Sequence, residues 1–337
     1  MNKKVSLKDI AKRAQVSIAT VSYVLTKGEN SGIGYEVSEK VKKIAAELNY
    51  RPNQIAQSLR SGKSYIIGLI VADISNPFFA NIARIIEDEA KKHNYTVVFG
   101  SSDENATKSS DLINLLVNRQ VDGFIIAPTE GSQEQIINLK KQNIPFVLID
   151  RHFPEIESNY VTINNYKAAF DVTNRLLDTG NSDIGLIAYS SDLHHMKERI
   201  RGYSEALEAK GIKVDNNRIK KVAFSNLIED VYIKVRELLS APKPVTAIFF
   251  TTNTLAIHGL KTIDKLNLKV PNDISVVVFD AAEAFDFYYC PITHIKQPLL
   301  KIGKQAIDIL VNQINTPEKK YSKLNLKAIL VEKDSCK

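Results

Sequence analysis

The sequence predicts an N-terminal all-α helix-turn-helix domain followed by an α/β domain of two Rossmann-like lobes. Three observations predict it. Two short amphipathic segments joined by a tight turn open the chain, β-rich apolar runs alternate with helical patterns beyond residue 65, and those runs fall into two similar sets. At 337 residues the chain is long enough for two or three domains. With 44% hydrophobic and 25% charged residues it has the balance of a chain that buries cores, not of a low-complexity one. No apolar run approaches the roughly 18 residues of a membrane span. The start, Met1 to Ser6, lacks the apolar stretch of a signal peptide and runs straight into an amphipathic pattern. Cys290 and Cys336 match no disulfide or metal framework. A cytoplasmic protein without cofactor or metal is expected.

Charge divides the chain in the same place. Residues 1–63 hold 12 Lys and Arg against 5 Asp and Glu, a net +7, while residues 64–337 hold 33 of each sign. A small basic module on a large neutral one is the footprint of a nucleic-acid reader.

Ser6 and Asp9 suit a helix start, one as a cap and the other as a negative charge near the first turn. Leu7, Ile10, Ala11 and Ala14 follow at helical spacing. After Gln15 and Val16, Ser17 caps a second helix whose Val21, Val24 and Leu25 point inward with Val16. Ser17, Ile18, Ala19, Thr20, Ser22 and Tyr23 are left outside or at the helix start. Two helices so joined form a helix-turn-helix, and the second belongs in a DNA major groove. There Ile18 and Ala19 suit thymine methyls, and Thr20, Ser22 and Tyr23 suit bases or phosphates. A third helix is expected over residues 37–48, with Asn49 as a left-handed cap. Beyond Pro52, Asn53 starts a helix of about two turns, too short to stand alone in water.

Leu7–Ala11, Val16–Leu25 and Glu47–Asn53, with Ala56, Leu59 and Arg60, resemble the LacI/GalR family of bacterial repressors. The resemblance implies that residues 51–63 are a hinge helix and linker. Asn53, Ala56 and Arg60 then join Ser6 and the second-helix residues at the DNA, and Leu59 wedges into a central minor-groove step, a device that kinks duplexes. Two departures stand out. Gln15 replaces the usual turn glycine, and the segment Gly28 to Val41 is irregular.

Strands are expected at residues 66–71, 96–99, 123–127 and 146–149, and again at 184–188, 220–224, 246–250 and 275–279. Continuous Val/Ile/Leu runs between helices mean parallel sheets covered on both faces. Ligands of such sheets sit beyond the strands' carboxyl ends. Here those ends carry Asp73, Ser101, Asp103, Asp150, Arg151, Tyr189, Asn253 and Asp280.

Asn76–Phe79, Pro145–Arg151, Arg199–Tyr203, Val270–Val277, Phe279–Asp280 and Gln297–Pro298 extend the resemblance over nearly the whole chain, to the family's periplasmic-binding-protein-like effector domain. It implies one lobe of about 64–162 and 293–325 and a second of about 163–292 and 326–337. It places Arg199, Asn253 and Asp280 on a small sugar-like effector; the strand-end rule adds Asp73 and Asp150, and Phe78 or Phe79 suits a stacking wall. Thr254, Val278 and Ala281 depart from the usual cleft pattern, and residues 285–289 are unusually aromatic, placed either over the core or at an interface. His194 and His195 read as surface or pocket-rim residues ahead of a metal pair. The implied function is a repressor that binds a palindromic operator as a homodimer and is controlled by its effector, or in some relatives by a phosphoprotein. The few residues after 331 predict no tetramer-forming coiled coil. The rival readings are a solute-binding protein or an enzyme on the same α/β fold. Against the enzyme, neither G-x-G-x-x-G nor the phosphate-loop motif occurs.

Overall fold

The computed structural model describes residues 5–27, 31–50, 62–316 and 320–336. The chain divides into two compact units, Met1–Ser64 and Tyr65–Lys337.

The first unit contains α1 (Leu7–Ala14), α2 (Ile18–Lys27) and α3 (Tyr35–Glu47). The third helix begins two residues before the expected start. Ile10, Ala14, Val21, Val24, Val41 and Ile44 close a core of one face from each helix. The Asp9 carboxylate accepts from the Ser6 N–H at 2.9 Å and from its hydroxyl at 2.6 Å, pinning the start of α1. Gln15 ends α1 at φ 57°. A residue with a side chain pays about 1 kcal/mol for that conformation, which a glycine avoids. Asn49 takes φ 48° after α3, as a short polar side chain tolerates.

The second unit contains two six-stranded sheets. The first has strands β1 (Ile66–Val71), β2 (Thr96–Ser101), β3 (Gly123–Ile126), β4 (Phe146–Ile149), β5 (Asn159–Ile163) and β11 (Lys323–Leu326), in the order β11-β5-β4-β3-β1-β2. The second has β6 (Ile184–Tyr189), β7 (Ile219–Val222), β8 (Ala247–Phe250), β9 (Ser275–Phe279), β10 (Thr293–Lys296) and β12 (Ile329–Val331), in the order β12-β10-β9-β8-β6-β7. Apart from the last strand in each, both follow the doubly wound order 2-1-3-4-5, so the two lobes repeat one topology. All pairings are parallel except β10 with β12. Strands β3, β4, β6, β8 and β9 are buried along their whole length, because helices cover both faces.

Helices α4 (Pro77–Lys92), α5 (Ala106–Asn118) and α6 (Gln133–Lys141) follow strands of the first sheet. Helices α7 (Asn165–Asp178), α8 (His194–Ala209), α9 (Leu227–Leu239) and α10 (Asn253–Lys265) accompany the second. A short α11 (Ala284–Phe287) precedes β10, and α12 (Leu299–Asn315) returns to the first lobe to pack on α4 and β3–β5.

The lobe boundaries need correction. Residues 293–296 were expected in the first lobe, but β10 pairs with β9 in the second sheet. The lobe change expected after residue 325 falls between β11, which ends at Leu326, and β12, which starts at Ile329 in the other sheet. The chain therefore crosses between lobes three times, after β5, after β10 and after β11. The aromatic loop divides likewise. Phe285 is buried in the core and Phe287 is 87% exposed.

Candidate binding surfaces

In the first unit, α2 turns apolar and hydroxyl-bearing side chains outward along one face. The Ser17 hydroxyl accepts from the Thr20 N–H at 3.0 Å and lies 2.9 Å from the Thr20 hydroxyl, so both are engaged in capping the helix. Ile18 is 48% and Tyr23 43% exposed. Ala19 is exposed and Ser22 half-buried. Arg13 bridges to Glu47 at 2.8 Å and ties α1 to the end of α3. Ser6 lies at the surface with its hydroxyl on Asp9. Asn53, Ala56, Leu59 and Arg60 lie outside the described residues.

In the second unit a cavity of about 120 Å³ opens where the carboxyl ends of the two sheets face each other. Six of the seven residues expected there line it: Asp73, Phe78, Phe79, Asp150, Arg199 and Asp280. Asn253 is not on its wall. It is fully buried and donates from Nδ2 to Asn76 Oδ1 across the lobes at 3.0 Å. Asp73 lies on the wall with one oxygen engaged by the Ser75 N–H and hydroxyl.

Arg199 projects from α8 and is buried. Its Nε donates to Asn165 Oδ1 at 2.9 Å, its Nη1 to the Thr251 carbonyl at 2.7 Å, and Asp280 lies 3.7 Å away. The guanidinium carbon sits 3.6 Å from the Phe279 ring centroid. Burial lowers the Arg199 pKa, and Asp280 opposes the shift. Asp280 follows β9 at φ 73° and accepts from Gln297 Nε2 at 2.7 Å. Burial pushes its carboxyl up to about 6, with Arg199 pulling the other way.

Other wall residues, Arg151, Glu104, Tyr189, Phe224 and His195 among them, were not assigned to the effector from sequence. Arg151, noted only as a strand end, makes a two-pronged pair with Glu104 at 2.6 and 2.7 Å. Burial works against its charge, but Glu104 and Asp150 outweigh that and raise its pKa. Tyr189 and Phe224 stack at 3.8 Å between centroids. His195 is buried with no hydrogen-bond partner at Nδ1. Burial first, then Arg151 and Arg199, hold it well below its ordinary pKa and hence neutral. A strand-end rule finds Tyr189, and Phe224 and Glu104 follow the ends of β7 and β2 by two and three residues.

A larger groove of about 620 Å³ adjoins the cleft. It shares Phe78 and Asp280 and is walled by Gln297, Pro298 and Leu299. His194 lies on a separate cavity with His152, their rings 5.1 Å apart. Among the described residues, no group of three or more His, Cys, Asp or Glu side chains stands in metal-holding geometry, and no helix is long and apolar enough to cross a membrane.

A helix-turn-helix module joined to a two-lobed α/β module with a polar, aromatic-walled cleft defines a ligand-responsive DNA-binding regulator. Residues 64–333 match the family described as periplasmic binding proteins and sugar binding domain of LacI family, and residues 6–53 match bacterial regulatory proteins, lacI family. The chain is 33% identical over 313 residues to the HTH-type transcriptional repressor CytR of Escherichia coli, covering 92% of this chain and 89% of that one. It is 32% identical over 315 residues to catabolite control protein A of Priestia megaterium, covering 92% and 93%. The solved LacI family regulator from Enterococcus faecium with bound ribose superposes with a TM-score of 0.71 at 28% identity, over 80% of this chain and 98% of that one. The chain belongs to the LacI family of bacterial regulatory proteins.

Proposed function

We propose that the chain represses transcription as a homodimer on a palindromic operator, in the cytoplasm, and that a small sugar-like molecule in the cleft sets its affinity for DNA. It acts by binding and not by catalysis. The observation that carries the effector reading is the buried Arg199–Asp280 pair at 3.7 Å, placed against aromatic walls at the strand ends of both lobes. A guanidinium and a carboxylate side by side suit the vicinal hydroxyls of a sugar ring, and Phe79 and the Tyr189–Phe224 stack suit its apolar face. The bound ribose of the Enterococcus faecium regulator makes a pentose the first candidate. The adjoining groove gives room for a substituent on the ring.

In this reading Asp73, Phe78 and Asp150 complete the effector wall. Leu59 wedges the operator, and Asn53, Ala56 and Arg60 hold the hinge segment on it. The effector shifts the regulator only as far as its affinity differs between lobe arrangements. The test is a thermal-shift screen of pentoses, hexoses, sugar phosphates and nucleosides on the full chain, followed by an operator mobility shift with each hit. The expected result is a stabilising sugar or nucleoside that changes operator affinity. A stabilising hit that leaves operator affinity unchanged would sink the allosteric reading.

A further inference from the structure

Between Ser17 and Leu25 the chain has no Arg, Lys, Asn, Gln, Asp or Glu. Those are the side chains that pair bidentately with guanine or adenine in the major groove, or accept from cytosine. The outward residues of α2 are instead Ile18, Ala19, Ser22 and Tyr23. At 3.6 residues per turn these four fall within an arc of about 140°, and Val21 and Val24 on the other side are buried. The hydroxyls of Ser17 and Thr20 are committed to the helix cap. The exposed residues among the outward four, Ile18, Ala19 and Tyr23, offer methyl, methylene and ring carbon toward a base pair, with the Ser22 hydroxyl half-buried between them. The thymine C5 methyl is the apolar group that base pairs display in that groove.

We propose that α2 reads its operator half-site through thymine methyl groups, with Ile18 and Ala19 in contact and Tyr23 beside them, and with no bidentate guanine reader between Ser17 and Leu25. The inference rests on the operator-binding reading above. Affinity then comes mainly from phosphate contacts of the basic module, and sequence preference from methyl burial. The half-site under α2 is accordingly rich in A·T pairs.

The test selects a randomised duplex library with the full-length protein and remakes the recovered duplexes with deoxyuridine for thymidine. That change removes the methyl and leaves every hydrogen-bonding edge in place. The expected result is T·A pairs at the α2 positions and a loss of about fourfold in affinity per contacted methyl, the value of burying one such carbon. Ile18→Ala, at an exposed position, should shrink the deoxyuridine penalty, and 5-methylcytosine at a thymine position should bind better than cytosine. Equal affinity for the two duplexes, or an invariant guanine under α2, would overturn the methyl reading and leave operator binding standing. Recovery of no preferred sequence would overturn both.

Discussion

Asp280 and Arg199 decide most of the chemistry of the cleft. Asp280 titrates near 6 because burial disfavours its charge, from an ordinary value of 3.8. Between those values the folded chain holds a proton that the unfolded chain has released. Its contribution to stability therefore falls as pH rises from about 4 to 6 and is level above. Ligand binding runs the other way if the carboxylate accepts from a hydroxyl. Effector affinity should decline as pH drops through about 6 in the wild type and stay flat, at a lower level, in Asp280→Asn. Calorimetry from pH 5 to 8 checks this, and a flat wild-type profile removes Asp280 from the contact set. Arg199→Ala strands Asp280, Asn165 Oδ1 and the Thr251 carbonyl together. It should cost about 2–4 kcal/mol of effector affinity and leave operator binding in place. A mobility shift and a titration on the same preparation separate the two effects. These two residues were legible because short motifs carry them. Glu104 and Phe224 were not, because the strand-end pattern marks the neighbourhood but not which residue just past β2 or β7 turns its side chain into the cleft.

At the scale of elements, α8 is held by its approach to α7. A Cβ built on Gly202 would lie 2.4 Å from the Tyr166 carbonyl oxygen and 2.9 Å from the Phe170 nitrogen. Those are backbone atoms and cannot swing aside, so Gly202→Ala must push the helices apart. Overpacking of this kind costs about 1–3 kcal/mol. Arg199 sits three residues earlier on α8, so the shift should reach the cleft as well. The expected outcome is a lower Tm together with weaker effector binding. A lower Tm with full affinity would mean that α8 yields only beyond Arg199. The strands of the sheet centres were legible as unbroken apolar runs such as Ile66–Val71 and Ser275–Phe279. Strands β5, β10, β11 and β12 were not, being short or carrying residues such as Asn159, Lys296 and Asn325 among the apolar ones. The lobe change between β11 and β12 was legible only through the family resemblance, which placed it after residue 325.

For the two-lobed unit as a whole, the three crossings allow the lobes to move and two polar contacts tie them across the cleft. Asn253 Nδ2 donates to Asn76 Oδ1 at 3.0 Å, and the Asp192 N–H donates to Glu130 Oε1 at 3.2 Å. Asn76 also caps α4 through the Phe78 N–H at 2.9 Å, so the helix bearing the aromatic wall is anchored to α10 of the other lobe. One such bond contributes about 0.5–1.5 kcal/mol, a bias of roughly two- to tenfold toward the closed arrangement. Asn253→Ala removes the bond and leaves both the Asn76 cap and the Thr252 cap of α10 in place. Without effector the variant should show a larger radius of gyration in solution scattering, and saturating effector should restore the compact value. Apparent effector affinity should fall by at most about tenfold, because the ligand then pays for closing the lobes but keeps its own contacts. Arg199→Ala should lose far more, since it removes a contact. An Asn253→Ala protein with unchanged radius and unchanged affinity would show that the bond only fills space and does not bias the lobes toward the closed arrangement.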